Sequence, residues 1–322
     1  MKSGRLILLC GFAALVASVV FTSRGEAQPN SVTQIVPGVW FREGDIKNEG
    51  HCNNIIIEMK DYLIIVDANF PSGARAAAAD AKKVSNKPVK YVFDTHHHGD
   101  HAYGNAVWTQ MGATTLAYAG VAQEMKRYEP KRWKETNRKD VKELNQATVE
   151  PPKQTFDKTP FVLDDGNRRV EFHFFGWAHT RGDGFVYLPK EQVLATGDAV
   201  TNGPFNFMAD GNVANWPKVA DTAAKLKVKH VLPGHGRPGG PEVLAGQAKF
   251  MRDIYAGVQG LMKSGKSVDD IQKMGMDKTL EAALHFSPQA KNWVGTSLAG
   301  QAVATLEEIR EKKPHGEIDG GK

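Results

Sequence analysis

Thr95-His96-His97-His98-Gly99-Asp100-His101 packs four imidazoles and a carboxylate into one turn, directly behind the apolar run at residues 89–93. Neutral imidazole and carboxylate are donors that zinc prefers, and few other roles need so many side by side. On an extended chain alternate residues point the same way. His96 and His98 therefore share one side, His97 faces elsewhere, and Gly99 permits a bend that re-aims Asp100 and His101. The stretch reads as the first half of a two-metal hydrolytic centre, carried on the C-terminal end of a buried strand.

The rest of the chain is built to bury such a strand. Its 322 residues are 41% hydrophobic and 24% charged, the balance of an ordinary globular protein. The net charge of +5 lies partly at the N-terminus, and without Lys2, Arg5, Arg24 and Glu26 it falls to +3. No dense basic run follows, so nucleic acid is not an expected partner. Residues 1–5 form a basic start and 6–21 an apolar segment too short for a confident membrane span. Gly25-Glu26-Ala27 offers small residues where a signal peptidase reads. Cleavage after Ala27 predicts a periplasmic or secreted protein with no stable membrane insertion; an uncleaved N-terminal anchor is the alternative. Cys10 leaves with such a leader. Cys52 then stands alone, without an intrachain disulfide, and reads as buried packing.

Working outward, residues 31–41, 54–59 and 62–66 read as strands, and the polar stretch 42–51 as a loop. His51, in that loop, is either structural or within reach of a substrate. Asp67 closes the third strand, where spacing alone fits a turn or a residue that holds a ligand. Ser72 is placed to cap a helix over 73–84, and 101–111 reads as the helix after the histidine turn. Residues 118–150 are charged and helical in pattern, broken at Pro130. They form an inserted segment that either borders the site or is simply solvated. Beyond Phe161, strands are expected at 161–163, 169–175, 184–188, 193–195 and 229–232, with a helix at 217–226. The C-terminal part is helical: 243–263, a short helix after Ser267, then one from Ser287 to about Lys312. His173, His230 and His285 read as packing or surface residues. His315 reads as part of a charged tail, and 319–322 as a disordered end. The layout is a leader at 1–27, a main unit at 28–245 with its insert, and a helical extension at 246–322.

Three further donors sit just past predicted strands and beside glycines, which allow close backbone approach: His179 in Gly176-Trp177-Ala178-His179, Asp198 in Thr196-Gly197-Asp198, and His235 in Pro233-Gly234-His235-Gly236. Together with His96-x-His98-x-Asp100-His101 and Asp67, this ordered set resembles the metallo-β-lactamase superfamily, over about residues 31–240. The resemblance implies a four-layer αββα sandwich of mixed sheets, here with a C-terminal helical extension, and metals at one sheet edge. It implies His96, His98 and His179 around one zinc ion, Asp100, His101 and His235 around a second, and Asp198 bridging both. Many true zinc β-lactamases carry Cys where this chain has Asp198.

The activity implied by the resemblance is hydrolysis of a small-molecule amide, ester or thioester (a β-lactam, lactone or thioester) by a hydroxide held between two Zn²⁺ ions. Asp100 is the residue placed to orient it and move a proton, and Asp67 the one holding a ligand imidazole. Phe205, Phe207 and Met208 either line a partly hydrophobic pocket or pack against the C-terminal helices. The competing readings are a diiron oxidoreductase on the same fold, against which the imidazole of His98 speaks, and a non-catalytic metal-binding protein.

Overall fold

A computed structural model describes residues 28–318, so the expected leader and the last four residues lie outside the described part. Two sheets face each other. The first has seven strands in the order β1 to β7: Val32–Val36, Val39–Arg42, Asn54–Glu58, Leu63–Val66, Val89–Asp94, Thr114–Tyr118 and Gln154–Phe156. The second has five, ordered β12-β11-β10-β9-β8, from β8 (Phe161–Asp164), β9 (Arg169–Phe174), β10 (Gly184–Leu188), β11 (Val193–Gly197) and β12 (His230–Pro233).

The layering follows from residue alternation. In β3, Ile55 and Ile57 point between the sheets, while Ile56 points outward. In β4, Ile64 and Val66 face inward and Leu63 and Ile65 outward. Strands apolar on both faces need cover on both. Outside the first sheet that cover is α1 (Pro71–Val84) and α3 (Asn105–Gln110), with Ala74, Ala77 and Trp108 on the outward isoleucines. Outside the second sheet lie α6 (Trp216–Ala223) and α7 (Pro241–Lys263). The result is the αββα sandwich. Each fully buried Ile or Leu in these layers contributes about 2 kcal/mol through removal of apolar surface from water.

All donor-bearing turns leave the same edge. β4, β5 and β6 run parallel, and so do β11 and β12, so Asp67, Thr95, Asp198 and Gly234 all follow strand ends. The two sheets are tied there by the Gly184 N–H, which donates to the Thr95 carbonyl at 2.7 Å.

Several local expectations differ from the structure. Residues 31–41 are not one strand but the hairpin β1–β2, because Gly38 adopts φ +75° and turns the chain. Ser72 does not cap α1. The helix starts at Pro71, and the Ser72 N–H and hydroxyl both donate to Asp140, in α5 (Lys139–Lys142). The helix expected over 101–111 is two short ones, α2 (Gly99–Ala102) and α3, separated at Gly104. A Cβ on Gly104 would stand 2.2 Å from the Ala68 carbonyl oxygen. Pro130 does not interrupt α4 (Ala119–Glu135), which runs through it. The three-residue strand β7 has no counterpart among the expected strands. The C-terminal helix from Ser287 is split into a 3-10 turn (Pro288–Trp293) and α10 (Leu298–Glu311), preceded by α8 (Val268–Met276) and α9 (Leu280–Leu284). His315 is not in a loose tail: it opens α11 (His315–Ile318), is buried, and its Nδ1 donates to the Ala209 carbonyl at 2.8 Å.

Candidate metal centre

β5 delivers the histidine turn, and the chain bends at Gly99 into α2. His96 Nε2 lies 3.1 Å from His98 Nδ1, and His179 Nε2 lies 2.9 Å from that same atom. The loop after β9 brings His179 in, and its Nδ1 donates to the Phe207 carbonyl at 2.9 Å. That bond places the ring proton on Nδ1 and turns a bare lone pair on Nε2 inward. His98 is fixed likewise, its Nε2–H donating to Asp210 at 2.8 Å and its Nδ1 facing in. Burial and the neighbouring imidazoles hold His96 well below the usual imidazole range, and His179 is pushed down to about 3. The His96 and His179 rings are thus neutral at neutral pH, as metal ligands must be. Tetrahedral zinc, with bonds of 2.0–2.1 Å, separates ligand nitrogens by about 3.3 Å. The two separations from His98 Nδ1, 3.1 and 2.9 Å, are close to that size.

A second cluster abuts the first. His235 Nε2 lies 2.9 Å from Asp100 Oδ2, and His101 Nε2 lies 3.4 Å from both. Asp198 stands between the clusters: Oδ2 is 3.4 Å from His235 Nε2 and 3.8 Å from His179 Nε2, and Oδ1 is 3.5 Å from His101 Nε2. Asp198 Oδ1 is buried with no hydrogen-bond partner. An ionised carboxylate that faces three imidazole nitrogens and leaves one oxygen orphaned is what a cation site requires. Burial raises the Asp198 carboxyl, but His235 and His101 overcome it and bring it to about 2. Asp100 is held well below its ordinary value, against burial, by the same two imidazoles. Conversely, burial lowers His101 and His235, but the surrounding anionic groups win and raise both. A cation and a proton therefore compete for these two rings.

The surroundings orient the donors. Asp67 Oδ2 lies 2.9 Å from His101 Nδ1, and its Oδ1 accepts from the Thr95 N–H at 2.9 Å. Gly234 is required beside His235, since a Cβ there would meet Asp198 Oδ1 at 2.4 Å and His101 Cε1 at 2.8 Å. Asn53 holds that turn by donating to the Pro233 and Gly236 carbonyls. Behind His98, Asp210 accepts two bonds from the Arg132 guanidinium of α4, at 2.8 and 2.9 Å. His97 turns away from the clusters. It stacks on Tyr128 with centroids 5.4 Å apart and lies 3.3 Å from Asp210. Burial pushes His97 down to about 3, so it packs there as a neutral ring.

All seven expected donors therefore converge, with Asp67 behind them. His51 does not join them: its Nε2 contacts the Ser72 hydroxyl at 2.8 Å. Cys52 is buried and free, with its thiol pushed up to about 12 by burial, and it sits with Asp67 and His101 behind the second cluster. Sequence reasoning missed Asp210, Arg132 and Asn53 as supports. None has a local signature, since each acts across more than 70 residues of chain.

Comparison with known proteins agrees with this geometry. The family model described as "Metallo-beta-lactamase superfamily" matches residues 48–235, more than half the chain. Metallo-beta-lactamase IND-1 of Chryseobacterium indologenes is 28% identical over 196 residues, 58% of this chain and 72% of that protein. A metallo-beta-lactamase type 2 of Bacillus sp. (strain 170) is 24% identical over 258 residues, 74% and 93% of the two chains. Among solved structures, a metallo-beta-lactamase from Pontibacter korlensis superposes with TM-score 0.56 at 21% identity, covering 69% of this chain and 98% of its own. One from Hirschia baltica gives 0.55 at 21%, covering 69% and 97%. At such identity these structures speak for the fold alone. The matched residues 48–235 take in every donor described above, and the chain belongs to the metallo-beta-lactamase superfamily.

Proposed function

We propose that this chain is an exported dizinc hydrolase that cleaves an amide, ester or thioester bond, of the lactam, lactone or thioester kind, in a small molecule. The observation that carries the reading is Asp198, whose carboxylate faces His179 of one cluster and His101 and His235 of the other. One cluster offers three imidazoles, the other two imidazoles and a carboxylate, a donor set suited to zinc. A pair of divalent ions so held supplies an acidified water and a Lewis acid for the scissile carbonyl.

The chain's own groups do the remaining work. Asp100 is the most solvent-facing carboxylate of the set, 21% exposed at the side chain against 8% for Asp198. It orients the attacking water and accepts its proton, then returns the proton toward the leaving atom. Asp67 keeps His101 Nδ1 protonated and its Nε2 free, and the Phe207 carbonyl does the same for His179. The buried walls of both clusters exclude bulk water, which strengthens every charge interaction inside.

Export rests on the basic start, apolar run and Gly25-Glu26-Ala27 of the sequence. Among the described residues no helix is long and apolar enough to cross a membrane. Intact mass of the protein from the periplasm or medium should begin at Gln28; a retained Met1 overturns export by cleavage. For the activity, the purified protein should carry two zinc ions per chain. It should hydrolyse at least one of a chromogenic cephalosporin, a homoserine lactone and a glutathione thioester. That turnover should vanish on chelation and return with zinc. Full turnover after removal of every metal overturns the proposal.

A further inference from the structure

The segment between Asp198 and α6 inverts the usual rule of burial. In Phe205-Asn206-Phe207-Met208, the polar Asn206 is buried, whereas Phe207 is 51% exposed and Phe205 partly exposed. Few large apolar side chains among the described residues are so exposed. Scattered apolar exposure is ordinary, but this pair sits on the clusters themselves. The Phe207 ring lies 5.5 Å from the His98 ring and 6.4 Å from that of His179. The Phe205 ring lies 5.8 Å from His235. One phenyl thus flanks each half of the metal centre.

The exposure is built in rather than the result of a loose loop, because the back of the segment is pinned along its length. Trp293 Nε1 donates to the Thr201 carbonyl at 2.9 Å. Asn206 accepts from Gln247 Nε2 on its side chain at 2.9 Å and from Gln301 Nε2 on its carbonyl at 2.7 Å. His315 holds the Ala209 carbonyl, and Trp177 Nε1 donates to the Asp210 carbonyl at 2.9 Å. Met208 is buried in the core beneath. A backbone held at so many points cannot swing its phenyl rings inward at low cost, and rigid aromatic surface binds ligands with little ordering penalty.

We propose that Phe205 and Phe207 form a preformed platform for the non-reacting arm of the substrate, and that this arm is an alkyl or aryl group. The proposal rests on the hydrolase reading for the word "substrate", but the platform itself does not need turnover to be detected. A phenyl face beside a reacting centre gains from each methylene it removes from water, roughly threefold in affinity per group. Chain length of the acyl arm therefore sets KM, while kcat, governed by the groups beneath, changes little.

The test uses the zinc-loaded full chain and a series of esters and thioesters with one scissile group and unbranched acyl arms of two to eight carbons. KM should fall about threefold per methylene over the first few carbons, then level off. Phe205→Ala/Phe207→Ala should flatten that dependence, the loss appearing in the KM of the long-armed substrates and not in that of the two-carbon one. An eight-carbon arm ending in carboxylate should lose the gain. In parallel, calorimetry with non-hydrolysable linear alcohols of the same lengths reads the platform directly, with a negative heat-capacity change that grows with length. Chain-length-dependent binding of the alcohols without hydrolysis of any substrate would sink the hydrolase reading and keep the platform. Hydrolysis with KM independent of chain length, or a dependence that survives the double substitution, overturns the platform alone.

Discussion

Asp210→Ala tests whether a carboxylate outside the donor set governs how tightly the first cluster holds its ion. Asp210 is 2% exposed at the side chain and receives His98 Nε2–H at 2.8 Å, the Arg132 fork at 2.8 and 2.9 Å, and His97 at 3.3 Å. Burial alone would raise its carboxyl; the His97, His98 and Arg132 donors instead hold it far below the ordinary range. Its loss leaves His98 free to rotate or change tautomer and strands the Arg132 charge in a partly buried place. Removing one partner of a buried pair typically costs 3–5 kcal/mol. Arg132 is 32% exposed, so solvent recovers part of this, and about 2–3 kcal/mol of stability should be lost. Loss of the acceptor behind a ligand imidazole weakens metal binding by roughly 10–100-fold. Competition with a chromophoric chelator should show one of two ions weakened by that factor, the other nearly unchanged. Arg132→Met should behave differently. Asp210 still accepts from His98, so stability falls in urea titrations while metal affinity moves by about threefold or less. The double variant should be non-additive, because both changes act through one carboxylate. Equal affinity of Asp210→Ala and the unaltered protein for both ions would refute the reasoning. So would an Arg132→Met variant that loses metal as strongly as Asp210→Ala.

The same geometry sets other outcomes. Asp198→Ala should abolish turnover and weaken occupancy of at least one ion, read by metal analysis after dialysis; unchanged turnover refutes the bridging assignment. Gly234→Ala should lower activity at least tenfold, since its Cβ would stand 2.4 Å from Asp198 Oδ1, and cost about 1–3 kcal/mol in urea unfolding; wild-type kinetics would show that the turn yields freely. Asp140 is brought to about 2 from 3.8, because bonds from Arg138 and Ser72 outweigh the opposing effect of burial. Its folded value lies below the unfolded one, so its charge stabilises the fold above pH 4 and that contribution fades as pH falls toward 2. Asp140→Asn should therefore cost about 1 kcal/mol at pH 7 after allowance for solvent screening, and less at pH 3, by urea titration; a penalty that grows on acidification refutes the assignment.

The donor set is legible because its members are chemically conspicuous and each comes after an apolar strand. His96, His98, Asp100, His101, His179, Asp198 and His235 need only a strand end and a glycine to be recognised. The supports are not legible. Arg132 reads as one more charge on a solvated helix, and its meeting with Asp210 depends on how α4 lies against the sheet edge. Boundaries fail where a tertiary contact overrides a local signal. Ser72 is a good cap by type, but Asp140 claims both its donors. Pro130 is a breaker by type, yet α4 continues through it, with Glu129 buried beside it and taking the Tyr103 hydroxyl. His315 reads as tail because its neighbours Lys312 and Lys313 are charged; only the fold shows Ala209 within reach of it.

The grip of Trp293, Gln301 and His315 on the Thr201–Asp210 stretch divides responsibility within the polypeptide. The seven candidate metal donors lie in the portion matched by the family model, whereas the contour of the mouth above them is moulded by helices beyond residue 235, outside the matched region. Exchange of that trailing bundle between homologues is thus a route to new selectivity that leaves the inorganic chemistry untouched. A hybrid carrying a foreign bundle should keep its ions and trade its preference for cargo.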